Sequence, residues 1–156
     1  MKPGPLPQIS ILNRQRQIRI DRTGLEAFAR CALPLCRTKR GVGLTNIREV
    51  TVILVSDRRI AELHRRFMQI DGPTDVITFQ HGEILISVET ARRQARRYQT
   101  TLVHELQLYL VHGLLHLQGF DDHKPAAQTL MERTQERIAA LARAEVERGG
   151  PGPYFS

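Results

Sequence analysis

The 156-residue sequence has no tryptophan, two cysteines, three lysines and no long apolar run. Each scarcity excludes something. The longest apolar stretches, at 50–55 and 108–111, fall far short of the ~18 residues a membrane helix needs. Cys31 and Cys36 stand five apart without a second pair, which rules out a four-cysteine zinc site and suits reduced thiols in the cytoplasm. Residues 1–7 carry three prolines and no apolar segment, unlike a secretory leader. Aromatic residues make up only 5%, too few for an extended base-stacking platform. What is abundant is arginine. Lys2, Lys39 and Lys124 are the only lysines among 23 basic residues, against 16 acidic ones, and the formal charge is +7. Arginine's planar fork suits bidentate phosphate contacts, so the balance favours an acidic partner, nucleic acid above all. A GC-rich genome that writes arginine for lysine would give the same bias.

The length is about one domain's worth, and 41% hydrophobic with 25% charged residues is a globular composition. A single domain is expected over 8–148, with loose tails at 1–7 and 149–156. Alternation at 8–12 and 17–20 predicts a strand or hairpin. Residues 21–37 have Leu25, Phe28, Ala29 and Ala32 at helical spacing until Pro34. The Val/Ile/Leu run at 49–55 predicts a buried strand, and Asp57 is placed to cap a helix through Ile60, Leu63 and Phe67. Two short strands follow at 75–79 and 83–87, then helices at 88–99, 101–118 and 125–148. The fold class is therefore α+β: a small mixed four-stranded sheet packed by about five helices.

The sequence says most about chemistry at 111–123, Val-His-Gly-Leu-Leu-His-Leu-Gln-Gly-Phe-Asp-Asp-His. His112 and His116 lie four apart and project from one helix face, a spacing at which two imidazoles grip one divalent ion. Gly119 is a natural helix stop, after which the chain turns back and carries His123 or Asp122 toward the same ion. That logic is zincin-like. One histidine on an apolar helix is usually a core residue; three in twelve residues with a terminating glycine argue for a metal. Peptide hydrolysis by the zincin route needs Glu directly after the first histidine, and Gly113 stands there.

These residues carry a resemblance. The run His-Gly-Leu-Leu-His-Leu-Gln-Gly-Phe-Asp-Asp-His resembles the signature of the YbeY family, bacterial metal-dependent endoribonucleases of rRNA maturation and ribosome quality control. Leu63-His-Arg-Arg-Phe67 with 71–79, and Gly-Glu-Ile-Leu-Ile-Ser at 82–87, resemble the family's preceding segments. The likeness spans roughly 48–123. It implies a zinc-dependent, single-strand-specific hydrolase of RNA, active in 16S rRNA 3′-end maturation and ribosome biogenesis. It also implies rRNA and ribosomal particles as partners, with neither DNA nor a membrane. Two departures stand out. The family's third histidine falls at Asp122 here, with His123 one later; the metal set is taken as His112, His116 and His123, with Asp122 the oxygen alternative. The family also carries an arginine after the aromatic at Phe67, where this chain has Met68, which leaves Arg66 as the candidate arginine.

Glu105, seven residues before His112 and on the same helix face, is the candidate acid–base group, or else a buried acid that bonds a neighbouring helix or orients a ligand histidine. Thr74 and Asp75 end the turn into a strand and either line the cleft or serve the turn itself. Arg92, Arg93, Arg96 and Arg97 share one broad helix face. Arg65 and Arg66 make a second basic run, Arg14, Arg16 and Arg19 a third, and Arg37, Lys39 and Arg40 a fourth. Together they fit phosphate tracking better than a merely solvated surface. The alternatives are a ribosome-assembly RNA-binding factor with a structural metal and, less favoured, a metallopeptidase. Oligomeric state is not legible.

Overall fold

A computed structural model describes residues 4–37 and 43–150. The readings for residues 1–3, for Lys39 and Arg40, and for 151–156 lie outside the described residues.

In chain order the elements are β1 (Gln8–Asn13), α1 (Arg22–Cys36), a 3₁₀ turn (Leu44–Asn46), β2 (Glu49–Val55), α2 (Asp57–Met68), β3 (Val76–Phe79), β4 (Glu83–Ser87), α3 (Val88–Tyr98), α4 (Leu102–Gln118) and α5 (Pro125–Glu147). The fold is α+β, with a four-stranded mixed sheet in the order β1-β2-β4-β3. β1 and β4 flank β2 in parallel, and β3 runs antiparallel to β4 as an edge strand. Glycine lets the β3–β4 turn close: Gly82 has φ 122°, and a side chain there would meet the Glu49 carbonyl at 2.4 Å.

Most ends are set by local chemistry. Asp21, Ser56, Ser87 and Thr101 each accept a backbone N–H of the first turn of their helices. Ser56 holds the cap expected of Asp57, which lies one residue inside, where its charge suits the helix N-terminus. α1 ends at Cys36, two residues beyond Pro34. The second strand expected at 17–20 does not form. Gln15, itself buried, donates its amide to the Ile18 carbonyl at 2.7 Å and accepts the Ile18 N–H at 3.0 Å, so its side chain uses up the backbone groups a hairpin would need.

The sheet is unequally covered. Its main face carries Ile9, Ile11, Val50, Val52, Leu54, Ile84 and Ile86, packed against α1 and α4 with α5 outside them. The reverse face holds a smaller cluster under α2: Val55, Ile60, Leu63, Ile77 and Leu85. α4 is buried nearly all round, which explains its almost continuous apolar sequence. The cysteines are free and buried in α1. Burial pushes Cys31 up to about 11 and Cys36 further still. No helix among the described residues is long and apolar enough to cross a membrane.

Candidate metal centre

The centre is built on the last two turns of α4. Its outward stripe carries His112 and His116, whose rings meet edge to face with centroids 4.6 Å apart. Between them Gly113 faces inward, and a Cβ there would sit 2.6 Å from Ile84 Cγ2. The glycine lets α4 lie close on β4, fixing the height of both histidines above the sheet. The helix stops at Gly119, whose φ of 114° is open to glycine at little cost. Its N–H and that of Phe120 both return to the Leu115 carbonyl, at 3.1 and 2.9 Å. The chain then doubles back before Pro125 starts α5.

That turn sets which side chain lies beside the two histidines. Asp122, not His123, comes home: its Oδ2 lies 3.7 Å from His112 Nε2 and 3.5 Å from His116 Nε2, and those two nitrogens are 3.0 Å apart. The His123 side chain is 88% exposed and pairs with Asp121 at 3.5 Å. The expectation that His123 would join the two helix histidines is therefore not met by the positions of these side chains. The physical reason is the tight reversal after Gly119, which turns residue 122 inward and residue 123 outward. Asp122, the oxygen alternative, takes that place.

A triangle with sides of 3.0, 3.5 and 3.7 Å has its centre about 2.0 Å from each corner, the bond length of a divalent ion to imidazole nitrogen or carboxylate oxygen. His112, His116 and Asp122 thus fit a divalent metal. His116 titrates below the ordinary histidine range because burial disfavours its charged form and His112 repels it; the Asp122 carboxylate only partly offsets this. That direction favours the neutral ring a metal ligand needs.

The remaining site expectations are placed as follows. Glu105 is buried and accepts the Thr100 hydroxyl at 2.6 Å, tying the α3–α4 turn to the first turn of α4. Arg66 is exposed in the last turn of α2, its guanidinium 5.4 Å from the Phe67 ring. Asp75 accepts its neighbour Val76's N–H at 2.8 Å and the Thr74 hydroxyl, which is turn chemistry. Arg92, Arg93, Arg96 and Arg97 are all exposed along α3, although Arg93 is committed to Asp57. One residue was missed altogether. The Gln135 side-chain oxygen of α5 lies within hydrogen-bond distance of His112 Nδ1, at 2.9 Å. Its signal was a polar side chain at helical spacing within the inward stripe Met131, Ile138 and Ala142.

A mixed α+β sheet carrying a helix with two histidines four apart, closed by an acid from the next turn, defines a zincin-like metal-site protein. Within that class, a family model described as Endoribonuclease YbeY matches residues 10–143, and the chain belongs to that family. Endoribonuclease YbeY of Thermus thermophilus is 39% identical over 130 residues, covering 76% of this chain and 91% of that one. That of an Anaeromyxobacter species is 38% identical over 116 residues, covering 66% of this chain and 60% of that one. The chain thus spans about three fifths of the latter's length. A solution structure from Thermotoga maritima matches 94% of this chain and 98% of its own, with a TM-score of 0.64 and 27% identity.

Proposed function

We propose that the protein is a metal-dependent endoribonuclease whose single domain occupies residues 8–148, and that its ion is zinc held by His112, His116 and Asp122. The observation that carries this reading is the donor triangle with its centre about 2.0 Å from all three atoms. A bound divalent ion would supply Lewis-acid polarisation of a phosphodiester and activation of water. The chain's own part is to hold the donors in place and to present cation to the phosphates. The α3 arginines and Arg66 steer and neutralise RNA, and Glu105 fixes the start of the metal helix rather than moving a proton. Gly113 stands where a metallopeptidase would need its glutamate, and the Ile84 side chain leaves no room for one. In the cell we assign it to the cytoplasm and to rRNA processing on ribosomal particles, including 16S 3′-end maturation, ribosome biogenesis and quality control.

The test is metal content by mass spectrometry, with cleavage of a single-stranded rRNA fragment by the wild type and by Asp122→Ala, His116→Ala and His123→Ala. The reading expects one ion per chain. Both metal and cleavage should be lost in the first two variants and kept in the third. Metal and RNA bound without cleavage would make the protein an assembly factor instead. Loss of the ion in His123→Ala alone would overturn the ligand set.

A further inference from the structure

Two imidazoles can share an ion only if each turns an unprotonated nitrogen toward it, and a neutral histidine carries its proton on either ring nitrogen. In this chain the choice is made outside α4. The Gln135 side-chain oxygen, an acceptor only, lies 2.9 Å from His112 Nδ1. The proton of His112 is therefore held on Nδ1. Its Nε2 is left with a lone pair aimed between His116 Nε2, at 3.0 Å, and Asp122 Oδ2, at 3.7 Å. The partner of this ligand is a side chain 23 residues away, on α5.

We infer that Gln135 is the positioning residue of the centre: by accepting the His112 Nδ1 proton it fixes the tautomer and ring angle in which Nε2 faces the ion. This rests on reading the triangle as an ion site. Its neighbours three and four residues away on that stripe, Met131 and Ile138, are buried apolar residues that offer His112 no acceptor. It also gives α5 a role beyond covering α1 and α4: packing of α5 becomes a condition for an ordered metal centre.

The test uses the full chain and three variants. Gln135→Met keeps the length of the side chain without the acceptor, Gln135→Ala removes both, and Gln135→Glu keeps an acceptor. Zinc affinity is measured by competition with a chromophoric chelator, and the ¹⁵N shifts of the His112 ring are recorded in the metal-free protein. The wild type should show His112 protonated on Nδ1 and the Met variant a mixture of tautomers. Affinity should fall about 10–100-fold in Met and Ala and stay near wild type in Glu, the usual effect of losing the partner of a ligand histidine. Met binding within twofold of wild type, or Glu as weak as Ala, would overturn the inference. So would a wild-type His112 protonated on Nε2. Should Ala fail to fold, Met and Glu still decide. If the wild type binds no zinc while the tautomer still follows residue 135, the positioning stands and the ion reading falls.

Discussion

Replacing Gly113 with alanine sets two effects against each other. In an exposed helix interior the change stabilises by about 1 kcal/mol, since glycine loses more backbone freedom on folding. Here the new Cβ would stand 2.6 Å from Ile84 Cγ2, 2.9 Å from Cδ1 and 3.0 Å from Cγ1, and Ile84 is wholly buried. Cγ2 sits on the branch carbon next to the backbone, so the isoleucine cannot swing clear. Overpacking of this kind costs about 1–3 kcal/mol. Gly113→Ala should therefore lower stability by about 1 kcal/mol net, a fall in Tm of about 2–4 °C for a chain of this size. Ile84→Ala removes all three opposing atoms. In that background the same glycine change should stabilise, by propensity and by filling part of the space. The assay is urea unfolding followed by circular dichroism, in chelator, for the four members of the cycle. A reversal of sign means a coupling of about 2 kcal/mol. A Gly113→Ala effect equal in both backgrounds within about 0.5 kcal/mol would refute the contact, and a stabilised single variant would show that propensity alone governs.

Asp57 accepts from the Ser87 and Thr90 hydroxyls at 2.6 and 2.7 Å and from Arg93, joining the first turns of α2 and α3. Burial, the largest influence, pushes its pKa up, but the hydrogen bonds from Arg93, Ser87 and Thr90 together hold it below the ordinary carboxylate value. A depressed folded pKa gives stability above the unfolded value that is lost as pH falls through the folded one. Asp57→Ala should thus cost about 1–3 kcal/mol at pH 7, with a gap that narrows below about pH 4 in denaturant titrations; a constant gap would refute this. The two cysteines, buried and pushed up in pKa, should ignore an aromatic disulfide reagent at pH 8 until the protein is unfolded, and one equivalent reacting in the native state would contradict their placement. Reversing Arg92, Arg96 and Arg97 to Glu should weaken RNA binding and flatten its dependence on salt, read as the slope of log K against log salt; an unchanged slope would remove α3 from the RNA path.

What the sequence made legible is what local rules decide. Strand β2, strand β4 and four of the helix starts follow from apolar runs and capping residues, and each needs knowledge of only four or five neighbours. The same holds for His112 and His116, because a spacing of four on a helix is a geometry in itself. The hairpin expected at 17–20 failed because alternation speaks for side chains, whereas Gln15 had already taken the Ile18 backbone. His123 and Asp122 were both open as the third donor, because in a reversal of five or six residues the inward position is chosen by backbone dihedrals that composition does not encode.

Gly113 and Gln135 show where a single sequence gives out, and in opposite ways. Gly113 was read as the absence of a glutamate, a statement about chemistry that does not take place. In the structure it is a packing residue that lets α4 sit close on β4. Gln135 carries no local signal of a role, because its partner lies 23 positions back on another helix. Both meanings depend on α4 being pressed between the sheet and α5. The histidine pair, whose Nε2 atoms lie 3.0 Å apart, is thus flanked on two sides: α4 lies close on Ile84 at Gly113, and Gln135 Oε1 lies 2.9 Å from His112 Nδ1. Variants at 84, 113 and 135 should accordingly change metal affinity although none of the three belongs to the donor set, and in the same order in which they disturb the His112 ring.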